Sequence, residues 1–296
     1  MGQSDGLSPA VQRLRLRAEL RRIRLEANQT QEQVASAMDW SLSKLIRIEK
    51  GSVGISTNDL KVLLSYYGIV DKDRVQELIA LAKAAKERSW WRAYSNIASP
   101  QLLQFVEYQA AAMITRNFEP LLVPGLLQTE DYAREVIKEL SGRPKKDQLD
   151  ELVALRMKRQ ELLKRTGPPP WFFFILNEGV LRRMVGGEDV MTSQLRHLIE
   201  LSSRDDVIIE VVPFSAGVHR GMHGPFVILE FPEAGDDDVL YLENPTSDLI
   251  SRDAPEEILA YREIFEELRQ KSLGKDSVKF LHRLLDEMKL RAGAPT

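Results

Sequence analysis

Residues 30–51, TQEQVASAMDWSLSKLIRIEKG, decide how the chain is read. Thr30 suits a helix N-cap, and Gln33 three residues on completes a capping box. Val34, Ala35 and Met38 give the helix that follows a small apolar face. Asp39 and Trp40 break that pattern. Ser41 then caps a second helix, in which Leu42, Leu45, Ile46 and Ile48 alternate with Ser43, Lys44, Arg47 and Lys50. Gly51 closes it at a position that tolerates left-handed backbone. Two short helices around so tight a turn make a unit that can lay its second helix in the major groove of DNA.

The flanks extend this pair into a bundle. From Ala10 to Ala27, Val11, Leu14, Leu16, Leu20, Ile23 and Leu25 mark an Arg-rich amphipathic helix, followed by Asn28, which accepts a left-handed turn. Ser56 or Thr57 caps a helix carrying Leu60, Leu63, Leu64 and Tyr67, and Gly68 ends it. Asp71 opens a fifth, with Val75, Leu78, Ile79 and Ala82 on its core face. Residues 10–86 are thus expected to form a five-helix bundle, near the lower size limit for independent folding. Charge agrees with a nucleic-acid partner. The first 70 residues hold ten Lys/Arg against seven Asp/Glu, a net of +3, which leaves −6 for the rest of a chain whose net charge is −3. A basic end on an acidic body fits a DNA-reading module fused to a different domain.

Composition narrows the rest. At 43% apolar and 29% charged, the 296 residues suffice for two core-forming domains. No run of eighteen apolar residues and no leader-like N-terminus occur, so a cytoplasmic chain without a membrane span is expected. The absence of cysteine excludes disulfides, thiolate metal sites and cysteine nucleophiles.

The run LRRIRLEANQTQEQVA, followed by SLSKLIRIEKG and a leucine-rich helix, resembles the XRE (Cro/C1-type) helix-turn-helix family over Leu16 to Gly68. The resemblance implies that Gln31 grips a phosphate, and that Ser41, Leu42, Ser43, Lys44, Arg47 and Lys50 lie along the helix that faces DNA. It also implies a buried ion pair, Arg24 with Glu49, tying the first helix to the third. Leu42 stands where many members carry Gln, a residue suited to reading adenine; an apolar side chain can instead meet a thymine methyl.

Residues 87–296 have a different character. A helix is expected from Pro100 through Met113 and Ile114, then a proline-broken apolar loop, then a helix capped by Thr129 and another from Leu149 to Arg165. Trp171 to Leu176, Val207 to Val212, Phe226 to Phe231 and Val239 to Leu242 read as four strands. Helices at Pro255 to Leu273 and Ser277 to Leu290 close the chain. The expected fold class is mainly α, with an α+β C-terminal domain containing a small sheet of about four strands. VPGLLQTEDYAR, LNEGVLRRMVG, VVPFSAGVHRGMHGPFVILEF and YLEN resemble, in that order, the uncharacterised C-terminal domain that follows XRE-type heads in actinobacterial regulators. That resemblance implies an antitoxin-like regulator working with a small partner protein encoded nearby; it implies no known enzymatic activity and no settled ligand.

Catalytic chemistry finds little support. His219 and His223 stand four apart, but the glycines around them oppose the helix that would aim both at one metal. Glu178 suits an acid or base, and equally a helix N-terminal carboxylate. No nucleophile elbow, phosphate loop or dinucleotide fingerprint occurs. The sequence therefore predicts no catalytic residue, no metal and no cofactor. The expectation is a sequence-specific transcriptional regulator that binds a palindromic operator as a homodimer. Its C-terminal domain would bind a partner protein or a small-molecule effector, with Trp171, Phe173, His219 and His223 as the candidate region. The alternatives left open are a metal-dependent enzyme and a purely structural dimerisation platform.

Overall fold

Side-chain caps set the starts of most of the first helices. A computed structural model describes residues 9–49, 53–86, 90–142, 144–164, 170–231, 238–243, 249–251 and 254–292. Helices α1 (Pro9–Glu26), α2 (Gln31–Ala37), α3 (Leu42–Glu49), α4 (Thr57–Tyr66) and α5 (Lys72–Ala84) make the first bundle. The capping box is present: Thr30 Oγ1 accepts the Gln33 N–H at 3.2 Å, and Gln33 Oε1 accepts the Thr30 N–H at 2.8 Å. Ser41, Ser56 and Asp71 accept the N–H groups of Lys44, Asp59 and Arg74 in the same manner. Asn28 and Asp39 take the left-handed conformation, at φ 52° and 55°, which ends α1 and turns the chain between α2 and α3. Leu20, Val34, Leu45, Leu60, Leu64 and Leu78 fill the centre. The expected helix end at Gly51 and the Lys50 side chain lie outside the described residues.

The chain divides into two compact units between Arg92 and Ala93. In the second, α6 (Pro100–Ala111) stops three residues earlier than expected. Ala112 is extended, the Met113 N–H bonds to the Glu230 carbonyl at 2.8 Å, and Ile114 opens a strand. This strand, β1 (Ile114–Glu119), runs parallel to β2 (Trp171–Asn177) and antiparallel to β4 (Phe226–Glu230). Beyond β2 lies β3 (Val207–Val212), also parallel. Beyond β4 lie β5 (Val239–Leu242) and β6 (Leu249–Ser251), both antiparallel. The sheet thus has six strands in the order β3-β2-β1-β4-β5-β6, where about four were expected. The two additions have physical reasons. β1 alternates Thr115, Asn117 and Glu119 with Ile114, Arg116 and Phe118, so only two of its six residues are apolar, and β6 has only three residues.

Parallel pairing needs crossovers, and helices supply them. Between β1 and β2 run α7 (Glu130–Leu140) and α8 (Lys146–Arg159); between β2 and β3 run α9 (Glu178–Arg182) and α10 (Glu188–Leu201). The last two helices are α11 (Pro255–Lys271) and α12 (Ser277–Ala292). Alternation along β2 serves both faces of the sheet. Phe172, Phe174 and Leu176 pack with Leu195 and Leu198 of α10 and Leu281 of α12. Ile175, with Phe118 and Phe226, packs on the other face with Phe265 and Leu268 of α11. The class is as expected, mainly helical with an α+β second unit. No described helix is long and apolar enough to cross a membrane.

Candidate functional site

Leu45 and Ile48 are buried and hold α3 in the first bundle, leaving Leu42, Ser43 and Arg47 on its exposed side. The one-turn spacing of Ser43 and Arg47 puts them on one stripe, and Arg47 Nε donates to the Ser43 carbonyl at 3.3 Å. Ser41, also exposed, caps the same helix. Lys44 sits to one side, with Nζ 4.0 Å over the Trp40 ring and 3.5 Å from Asp59. This stripe offers a cation, two hydroxyls and an apolar side chain, the mixture that reads phosphates, base edges and thymine methyls.

What fixes α3 is a buried ionic knot. Arg24 Nε and Nη2 donate to the two Glu49 carboxylate oxygens at 2.7 and 3.1 Å, and Nη1 donates to the Gln29 carbonyl at 3.0 Å. Gln31 Nε2 adds a third donor to Glu49 at 2.7 Å. Gln31 is half-buried, so the side chain expected at a phosphate also braces the pair. Tyr67 lies against the knot, and burial together with the charge of Glu49 pushes its phenol up.

In the second unit the four residues of the candidate region separate into two places. Trp171 is exposed at the start of β2 and stacks on Phe173 at 6.2 Å. The guanidinium groups of Arg116 and Arg269 lie 5.0 and 5.7 Å from the Phe173 ring. His219 belongs to the other end of β2: its Nε2 lies 3.4 Å from Nδ2 of Asn177, and its ring meets Phe118 edge-on. Trp171 and Asn177, the two ends of β2, stand roughly 20 Å apart. His219 is buried, which lowers its pKa, with the charge of Lys271 acting in the same sense and Glu267 opposing. His223 is exposed on a short 3-10 turn, Arg220–His223. Gly221 within that turn is required by close approach, since a Cβ there would lie 2.6 Å from the Phe118 ring. Among the described residues no three His, Cys, Asp or Glu side chains converge as metal ligands. Glu178 spends one oxygen on Arg182 at 2.6 Å and the other on the Phe214 N–H at 2.8 Å.

A different cluster in this unit escaped the sequence reading. Asn117 and Glu119 project from β1 on the same face as Tyr241 of β5, which their shared neighbour Val227 fixes through the strand register. Arg156 and Arg159 come from the last turn of α8. Arg159 lies 5.4 Å from the Phe105 ring, which itself stacks on Tyr241 at 4.0 Å. Both arginines crowd the turn at Gly125, where a Cβ would stand 2.7 Å from Arg159 Nη2. Arg156 Nη1 donates to Gln128 Oε1 at 2.7 Å. Burial, with the charge of Glu243, pushes Glu119 up to about 8, against hydrogen bonding from Asn117 and the charges of Arg156 and Arg159. Burial and the neighbouring Arg156 press Arg159 down to about 10, and burial lowers Arg156. Glu119 and Arg156 nevertheless keep some surface open to solvent. The signal available in the sequence was the polar alternation of ITRNFE, a strand period with polar residues on one face.

Residues 15–78 match a helix-turn-helix domain, which places the first unit in a class of DNA-binding regulators. The larger match covers residues 102–283, more than half of the chain, and its description is domain of unknown function (DUF5753). The chain belongs to the DUF5753 family. No curated protein matches the chain. No solved structure matches it.

Proposed function

We propose that this protein is a sequence-specific transcriptional regulator of the XRE (Cro/C1) type that reads a palindromic operator as a homodimer in the cytoplasm. The observation that carries the reading is the exposed stripe of α3, where Arg47 and Ser43 face outward on a helix locked by the Arg24–Glu49 pair. Two-fold symmetry sets the half-sites about one DNA turn, roughly 34 Å, apart. Operator DNA selected from genomic fragments with the purified protein supplies the assay. Arg47→Ala should weaken binding about tenfold and reduce the salt slope by about one, as loss of one phosphate-neutralising cation does. Unchanged affinity and slope would remove α3 from the interface.

The second unit, in this reading, receives a signal and alters the affinity of the first. Its effector is a small molecule or a small partner protein encoded nearby, the latter following from the antitoxin-like resemblance of its motifs. The reading gives the unit no catalytic step. Supporting that, both oxygens of Glu178, the acid or base considered from sequence, are taken by structural hydrogen bonds. Mass spectrometry of the protein purified from its host, intact and after denaturation, distinguishes a bound small molecule from a bound polypeptide.

A further inference from the structure

We propose that the cluster of side chains from α8, β1 and β5 binds a small molecule by an anionic group, a carboxylate or a phosphate, held by Arg156 and Arg159. The inference deepens the reading of the second unit as the signal-receiving one, and rests on it for the consequence of binding but not for binding itself.

Two guanidinium groups lie side by side here, and among the described residues neither makes an ion pair within 4.0 Å. Arg159 is only 9% exposed. Buried cations are ordinarily paired, because an unpaired one forfeits its hydration with nothing in return. Buried polar atoms are ordinarily hydrogen-bonded as well. Five buried side-chain atoms among the described residues have no protein partner, and Arg159 Nε and Asn117 Oδ1 are two of them. A third, Gln109 Oε1, lies one turn along α6 from Phe105. The cluster thus presents an unused guanidinium N–H for an anion and unused amide oxygens for a donor. The charges agree: two arginines outweigh Glu243, and burial keeps Glu119 protonated at neutral pH. The ligand class is a small acid or phosphate that also carries N–H or O–H groups, such as a hydroxy acid, an amino acid or a sugar phosphate.

Titration calorimetry on the full-length protein with L-malate and with glycerol 3-phosphate, against chloride at matched ionic strength, tests the site and separates carboxylate from phosphate. Saturable binding of either probe is expected, with chloride giving none. Arg156→Gln and Arg159→Met should each lower that affinity at least tenfold. Glu243→Gln alters an exposed position and leaves folding intact; it should tighten binding about threefold, the scale of one unit charge screened by water. No saturable binding of either probe overturns the site, and so does binding that all three substitutions leave unchanged. Operator affinity is then measured with and without the bound probe. Binding that leaves DNA affinity unchanged keeps the site and overturns the sensing role. The calorimetry contains no DNA, so failure of the regulator reading cannot disguise its result.

Discussion

The two units treat a buried arginine in opposite ways. Arg24 in the first and Arg159 in the second are equally hidden, at 8% and 9% exposure. Arg24 is fully engaged, with two bonds to Glu49 and one to a carbonyl. Arg159 faces Phe105 and Arg156, and its Nε has no protein partner. Desolvation costs both, but only the first meets a carboxylate in direct hydrogen-bond contact. The contrast separates a charge that holds a fold together from one that the fold holds at a cost. A cost of that kind is what a binding site looks like when its complement is supplied from outside.

Three substitutions can break this comparison, taken from the largest effect down. Arg24→Met leaves Glu49 buried without its cation, and should cost about 3–5 kcal/mol of stability in urea denaturation followed by circular dichroism. Glu119→Gln acts on the pH profile. Glu119 titrates near 8 when folded and near 4.5 when unfolded, so its contribution is complete below 4.5 and is lost as pH rises through 8. The groups that face it are Asn117 on β1, Tyr132 on α7, Arg156 and Arg159 on α8, and Tyr241 and Glu243 from the β5 segment. Wild-type stability should therefore fall between about pH 5 and 8, by no more than about 1.4 kcal/mol per pH unit for one proton. The Gln variant should flatten that window in thermal melts, and a slope equal to wild type would mean that Glu119 ionises as an ordinary surface acid. Arg159→Met comes last. Removing an uncompensated buried charge for an apolar chain of similar volume should raise stability by about 1 kcal/mol. If it instead costs as much as Arg24→Met, the two arginines are equivalent and the contrast collapses.

Legibility followed the same division. In the first unit, Thr30, Ser41, Ser56 and Asp71 are written at the helix starts and cap as read, because capping is a local interaction between neighbours in sequence. Even the long-range Arg24–Glu49 pair followed, through resemblance rather than pattern. In the second unit the apolar strands Trp171 to Leu176 and Val207 to Val212 were legible from their runs of β-branched and aromatic residues. β1 was not, because one of its faces carries Thr115, Asn117 and Glu119 where a core strand would repeat Val or Ile. The same polarity hid the cluster around Glu119, whose members lie up to 134 positions apart, from Gln109 to Glu243. Such a site is assembled by topology alone. The separation of Trp171 from His219 was equally invisible, since it depends on which end of β2 each one meets.

The position of β1 also has a kinetic consequence. It is the first strand made and sits third in a row of six, and neither of its neighbours is joined to it by a short turn. Its parallel partner begins at Trp171 and its antiparallel partner at Phe226, after long stretches of intervening polypeptide. No hairpin includes β1, and the closure of long loops must precede any pairing of that strand. The five helices of the bundle ahead of it all lie between Pro9 and Ala84. During synthesis the two units therefore mature on separate clocks. The helix-turn-helix unit is complete while β1 still waits for the chain from Glu119 to Trp171 to arrive before its first partner exists, and for the chain to Phe226 before its second.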